Sequence, residues 1–179
     1  MYPLPRIGET IKKLEVFQYA TALDLNRWYY TIRISTASQD ITRIVTELGK
    51  LRYNSLPMGM WSSGYIFQAK ADATIGDIEG VKTHINDVLV LIKESFSNHI
   101  EQLRIIFGRL RAAGVKLNDT KCIFGLKDIT YLGYVITRKG IKPDPNKVQG
   151  IMDLGQPTKT NELQVIILML QYYSDMWTR

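Results

Sequence analysis

The chain has 179 residues, 45% of them hydrophobic, which is enough to bury one substantial core and points to one compact domain with at most a small appendage. Lysine and arginine number 23 against 17 acids, giving +6 and a pI near 9.4, a balance that suits a polyanionic partner without requiring one. Cys122 is the only cysteine, which excludes an intrachain disulfide, and the two histidines, His84 and His99, stand too far apart in sequence to suggest a zinc cluster.

A reducing, intracellular setting, cytoplasmic or nuclear, is therefore expected. Met1 to Pro5 lacks an apolar signal core, and the longest strongly apolar run, Val165 to Leu170, is far below the roughly 20 residues that span a bilayer. A soluble chain without signal or transmembrane segment follows as the expectation. There is no internal repeat and no low-complexity stretch.

In chain order, Tyr19 to Leu25 reads as a strand with Asp24 at its end, and Tyr29 to Ile34 (YYTIRI) alternates like a second strand. Short strands around Ile44 to Thr46 and Leu51 to Asn54 flank a turn at Gly49-Lys50. Ser62 to about Asp77 suits a helix. VKTHI (81–85) and VLVLI (88–92) sit on either side of Asn86-Asp87, two turn-prone residues, which predicts a β-hairpin.

Ser97 to Ala113 places Ile100, Leu103, Phe107 and Leu110 on one helical face, with Gly114 available to close it. Tyr131 to Thr137 (YLGYVIT) reads as a strand and Arg138 to Gly140 as a turn. Asp144-Pro145 has the form of an N-cap followed by proline at the first helical position. A last helix starts after Thr160, and its interior (VIILML) is apolar nearly all round. Such a helix is fully buried or presents a face to something else, an oligomer partner included.

Two acidic positions stand out. Asp24 ends an otherwise apolar strand (ATALDL), where a carboxylate is costly unless it lies at an edge or binds something positive. Asn86-Asp87 forms the predicted hairpin tip. Each also has a plain reading, Asp24 as a turn cap and Asn-Asp as good turn chemistry. Between Lys116 and Lys147 the chain carries seven basic residues against three acids, which holds +4 of the +6. That stretch is either a nucleic-acid-facing surface or an ordinary solvated face.

The joint pattern decides more than its parts. YPLPRI (2–7), FQYATALDL (17–25), LPMGM (56–60), FQ (67–68), HINDVLVL (84–91), LRAAGVKLNDTKCIFG (110–125), YLGYVIT (131–137) and KPDPNKV (142–148) fall in the order and spacing of reverse transcriptases of gypsy-type LTR retrotransposons, and the chain resembles that family over nearly its whole length.

The resemblance implies an α+β fold: a polymerase palm with a small antiparallel sheet backed by helices and partial fingers over residues 1–155, then the helical start of the thumb or connection region over 156–179. It also implies RNA-directed DNA polymerase activity, with RNA or DNA template-primer and dNTP as partners. The chain is expected to be part of a longer polyprotein, the preceding fingers and most of the thumb lying outside it.

In that family a strand-end Asp meets an Asp pair at a hairpin tip written Tyr-x-Asp-Asp. Nucleotidyl transfer to a primer 3′-hydroxyl uses two divalent cations about 4 Å apart, and several carboxylates are needed to hold that charge together. By resemblance Asp24, Asn86 and Asp87 take the catalytic positions, with Asp24 and Asp87 as ligands to Mg²⁺ or Mn²⁺. Tyr29 is similar to the aromatic that excludes a 2′-hydroxyl, Met58 and Gly59 to the turn lining the nucleotide pocket, and Leu132 and Gly133 to the primer grip. Lys116, Lys121, Lys127, Arg138 and Lys139 are the candidate contacts to nucleic acid.

Four departures qualify this. His84 replaces the tip tyrosine, and neutral Asn86 replaces the first carboxylate. An amide brings no negative charge, so metal binding should weaken and the barrier should rise by on the order of 4 kcal/mol or more. Trp28 stands where the family has glycine and is expected to crowd the nucleotide, while Trp61 to Tyr65 (WSSGY) replaces smaller residues. The expectation is a degenerate polymerase domain or, as the alternative, an inactive relic that keeps the fold and some affinity for nucleic acid.

Overall fold

The computed structural model describes residues 2–174 apart from Arg6, Lys13, Glu15 and Arg27, together with the backbone but not the side chain of Lys12. After a short helix α1 (Ile7–Lys12), the first strand β1 (Tyr19–Asn26) becomes the centre of the molecule. A small helix α2 (Thr36–Ile41), the ribbon β2 (Ile44–Thr46) and β3 (Gly49–Leu51), and helix α3 (Ser63–Ile75) lead to the hairpin β4 (Val81–His84) and β5 (Asp87–Ile92). Helix α4 (Phe96–Ala112) and strands β6 (Lys116–Leu117) and β7 (Ile123–Leu126) follow. The chain continues through β8 (Ile129–Tyr131), β9 (Tyr134–Thr137), β10 (Gly140–Pro143), α5 (Pro145–Met152) and α6 (Thr160–Tyr172).

The principal sheet runs β4-β5-β1-β6, with β7 also on β1, and its β1, β5 and β4 pairings are antiparallel. Val88 and Val90 of β5 join one core with Leu23 and Leu25 of β1, Phe67 and Ala71 of α3, and Leu103 and Ile106 of α4. Leu89 and Leu91 face the other way, into a second core with Ala20, Ile129, Tyr131, Tyr134 and Ile136. Both faces of β5 are thus covered, and this is why its sequence is a continuous apolar run instead of an alternating one. Helices back the first face. The second face is covered by the three-stranded sheet β8-β9-β10, an element beyond the single helix-backed sheet expected.

Several expectations hold closely: β1, the β4/β5 hairpin, α3 and α4 with Gly114 at φ +70°. So does α5, where the Asp144 side chain accepts from the Asn146 amide at 3.0 Å ahead of Pro145. The strand expected over Tyr29 to Ile34 is corrected. Trp28 to Thr31 forms a turn of 3₁₀ helix, and both Trp28 and Tyr29 are buried against Phe67. Consecutive strand residues point to opposite faces, so a strand could not bury both rings in one cluster.

Three turns also move. In the β2/β3 ribbon Thr46 pairs with Gly49, so Glu47-Leu48 is the turn in place of Gly49-Lys50. In the β4/β5 hairpin His84 pairs with Asp87, so the turn is Ile85-Asn86 and Asp87 belongs to the ladder. The run Tyr131 to Thr137 is not one strand, because Leu132 and Gly133 sit at φ +49° and +75° and reverse the chain between β8 and β9. On α4 the buried side is His99, Leu103, Ile106 and Leu110, with Ile100 exposed and Phe107 at the boundary. Helix α6 buries none of its residues, and Val165, Ile167 and Leu168 are all exposed.

Candidate active site

The antiparallel ladder brings the two acids together. Asp24 and Asp87 are direct register partners across β1 and β5, so their side chains leave the sheet on one face, the face toward β8 and β9. His84 pairs with Asp87 from the other side, which makes a row of His84, Asp87 and Asp24 across three strands. Lys121 continues it, with Nζ 3.7 Å from Asp24 Oδ2. A small cleft of about 220 Å³ opens over the row, lined by Asp24, Asp87, Lys121, Ile123, Tyr131 and Leu132 among others.

The electrostatics follow from half-burial. Burial, and then the negative charge of Asp24, hold the Asp87 carboxyl above the ordinary carboxylate range, against the opposing pull of His84 and Lys121. Burial pushes the His84 imidazole down, with Asp87 acting the other way. Tyr131 is pushed well above the usual phenol range, first by burial and then by the Asp87 charge, and its hydroxyl donates to the Asp87 backbone carbonyl at 3.3 Å.

Asn86 stands at the turn, its backbone carbonyl accepting from the Leu25 amide at 2.8 Å. Its side-chain Oδ1 and the His84 Nδ1 are both buried without a hydrogen-bond partner among the described residues. Neither residue lines the cleft over the two carboxylates. Asp24 and Asp87 are the groups that fit a divalent cation, by the chemistry in which one or two carboxylates act together with substrate phosphates, while among the described residues no group of three or more His, Cys, Asp or Glu forms a cage made by protein alone. Lys121 already partners Asp24.

The other sequence candidates divide. Leu132 joins the carboxylate cleft, and the Leu132-Gly133 turn is fixed from α6: the Tyr172 hydroxyl donates to Leu132 O at 2.6 Å and the Tyr173 hydroxyl to Gly133 O at 2.9 Å. Burial, then Tyr134 and Tyr173, push the Tyr172 phenol up to about 12. Tyr29 stacks on Phe67 at 4.3 Å and is 7% exposed. Trp28, expected to crowd a nucleotide, is instead a core residue at 1% exposure, edge-on to Phe67.

Met58 is exposed and Gly59 adopts φ +88° in the loop before α3, and the cleft lining includes neither of them. Trp61 is exposed, 5.5 Å from the Tyr65 ring. Lys116, Lys127 and Lys139 are exposed, and Arg138 donates to the Gln18 carbonyl at 2.7 Å. Of these five basic residues, Lys121 alone lines the carboxylate cleft.

Sequence reasoning missed the support of the hairpin tip. Ile85 holds φ +51°, a conformation that costs a β-branched residue about 1–2 kcal/mol. Its amide donates to the buried Oε1 of Gln68 at 2.7 Å. Nothing in the pair Phe67-Gln68 signals this role in advance. The tyrosines that fix Leu132-Gly133 were equally invisible, since they lie some 40 residues away.

A strand-end acid set across from a hairpin-tip acid, on a sheet with helices behind it, is a polymerase palm arrangement, and the chain belongs to the reverse transcriptase (RNA-dependent DNA polymerase) family, whose model matches residues 2–136. That family generally uses divalent metal ions. The retrotransposon resemblance is borne out by relatives in Drosophila melanogaster. The chain is 31% identical to the retrovirus-related Pol polyprotein from transposon opus and 25% identical to that from transposon gypsy, each match covering 96% of the chain. It spans 17% of the length of either polyprotein.

Among solved structures, the foamy viral protease-reverse transcriptase in complex with an RNA/DNA hybrid superimposes with a TM-score of 0.88 at 23% identity, over 96% of this chain and 23% of that one. The same protein in complex with double-stranded DNA gives 0.88 and 23%, over 96% of this chain and 36% of that one. Both bear out the α+β fold. Among the described residues no helix is long and apolar enough to cross a membrane.

Proposed function

We propose that this chain is the palm with partial fingers of an RNA-directed DNA polymerase, over residues 1–155, followed by the helical start of a thumb or connection region over 156–179. The observation that carries the reading is the register pairing of Asp24 with Asp87 above a cleft that Leu132 borders. Its partners are a template-primer of RNA or DNA and a dNTP, and it works as part of a longer polyprotein inside the cell, in the cytoplasm or nucleus. The foamy viral homologue in complex with RNA/DNA hybrid and the long Pol relatives support this.

In this reading Leu132 and Gly133 position the primer end, and the exposed Met58 and Gly59 border the incoming nucleotide. Tyr29 sits beneath that pocket and shapes its floor through its stack on Phe67, with the ring edge limiting space near the sugar. Lys116, Lys127, Arg138 and Lys139 contribute charge toward phosphates. Asp24 and Asp87 would hold Mg²⁺ or Mn²⁺, weakly because Asn86 would offer at most an oxygen without charge. A divalent ion bound there would supply Lewis-acid polarisation and charge neutralisation. The centre is therefore degenerate, and the expected activity is slower by roughly three orders of magnitude or more than with a carboxylate at position 86.

Primer extension with Mg²⁺ and with Mn²⁺, for the chain and for Asn86→Asp side by side, tests this. Extension by Asn86→Asp, with little or none by the unaltered chain, is the expected result. Equal extension by both would remove Asn86 as the lesion. Extension by neither favours the second reading, an inactive relic that retains nucleic-acid binding. Fluorescence anisotropy with a labelled hybrid, repeated across salt concentrations, would then measure that binding.

A further inference from the structure

Gln68 lies in the middle of α3 with no exposed surface, an unusual place for an amide unless all its hydrogen-bonding capacity is used. It is used. Nε2 donates to Thr83 Oγ1 at 2.8 Å, to Thr83 O at 3.2 Å and to Asp72 Oδ1 at 2.9 Å. Oε1 accepts from the Ile85 amide at 2.7 Å. Asp72, one turn further along α3, also accepts from the Thr83 hydroxyl, and its other oxygen accepts from the Tyr2 hydroxyl at 2.6 Å. One helix thus holds both the last inward-facing residue of β4 and the first residue of the tip.

What is held is Ile85, the turn residue between the ladder pair at His84 and the Asn86 carbonyl that β1 holds. From Asp87 onward β5 is locked between β4 and β1. Ile85 lies outside the ladder in a left-handed conformation that a β-branched residue avoids, and a free amide there would be expected to relax toward an ordinary extended angle. Such a relaxation would open the two-residue turn and displace position 86, while Asp87 stays in the ladder opposite Asp24.

We propose that Gln68, supported by Asp72 and Thr83, is a positioning residue that clamps the Ile85 amide and thereby fixes the two-residue turn that presents position 86 next to Asp87. It touches neither the cleft nor the carboxylates of Asp24 and Asp87 and acts through the backbone. Its consequence for cation binding rests on the reading of Asp24 and Asp87 as ligands given above, whereas the clamp itself does not.

The test separates the two. Amide hydrogen exchange, resolved by NMR without metal, is measured for the whole chain and for Gln68→Leu, Gln68→Glu and the double variant Gln68→Glu/Asp72→Asn. The glutamate substitution keeps an acceptor for Ile85 but loses the donor to Asp72 and sets two acids together, while the added Asp72→Asn change restores a donor between the two side chains. The Ile85 amide is expected to lose at least tenfold in protection in both single variants and to regain most of it in the double variant, while Val88, Leu89 and Val90 stay protected. Unchanged protection of Ile85, or a double variant no better than Gln68→Glu, overturns the clamp.

Mn²⁺ affinity, read by electron paramagnetic resonance in an Asn86→Asp background, is expected to weaken about 10- to 100-fold with Gln68→Leu and to recover in the double variant, as for residues that orient ligands without touching the metal. Lost Ile85 protection with unchanged Mn²⁺ affinity overturns the positioning of position 86. If Asn86→Asp itself binds no Mn²⁺, the ligand reading fails, and Ile85 exchange still decides the clamp.

Discussion

Phe67 is the side chain against which the Trp28 and Tyr29 rings pack. It is fully buried, with the Tyr29 ring stacked on it at 4.3 Å and the Trp28 ring edge-on at 5.3 Å. Truncation by Phe67→Ala loses the transfer energy of the ring and leaves a cavity, about 3–5 kcal/mol for such changes. Two aromatic contacts of about 0.5–1.5 kcal/mol each place this site in the upper part of that range, about 4–5 kcal/mol. That is a large share of the 5–15 kcal/mol or so that holds a typical domain folded. In urea, with a slope of about 2 kcal/mol/M, the unfolding midpoint should fall by about 2 M. Near-ultraviolet circular dichroism should lose the Trp28 and Tyr29 bands at the same time. A loss below about 1.5 kcal/mol, or unchanged aromatic bands, would refute the argument, because the rings would then be held by something other than Phe67.

The Asp87 carboxyl is held above its ordinary range by burial and by Asp24, so the native state binds its proton more tightly than the unfolded chain. Stability from this group therefore falls as pH rises from about 4 through the folded value, and Asp87→Asn should raise Tm at pH 7 with a gain that vanishes near pH 4; a gain that grows on acidification would reverse the sign. Lys121 is exposed and pairs with Asp24 at 3.7 Å, so Lys121→Met should cost less than about 1 kcal/mol by urea titration while strengthening Mn²⁺ binding, and weaker binding would show that Lys121 supports the cation instead of competing with it. Leu168 on α6 is 65% exposed, so Leu168→Lys should change stability by within about 0.5 kcal/mol yet reduce concentration-dependent association in sedimentation, and a large loss of stability would mean that the helix packs through that side chain.

What was legible beforehand depended on how local its cause was. β1, α3, α4, the β4/β5 hairpin and the Asp144-Pro145 start of α5 each announce themselves through periodicity or capping within a dozen residues. The acids could be singled out because a carboxylate ending an apolar strand is costly. Their pairing needed the register, and the register was misread by one: taking Asn86-Asp87 as the turn put Asp87 outside the ladder that it in fact opens. Trp28 and Tyr29 were misjudged because their partner, Phe67, lies almost 40 residues on, and tertiary burial of both rings overrode the alternating pattern of YYTIRI. Leu132-Gly133 was hidden for a similar reason: only the phenols of Tyr172 and Tyr173 reveal that the chain turns there.

Those two phenols have a mechanical meaning as well. With Tyr134 donating to the Tyr172 carbonyl at 2.9 Å, they close a loop of hydrogen bonds between the end of α6 and the turn that borders Asp24 and Asp87. Helix α6 buries none of its residues, and these bonds tie its end to that turn. A displacement of the end of α6 and a displacement of the Leu132-Gly133 turn are therefore coupled.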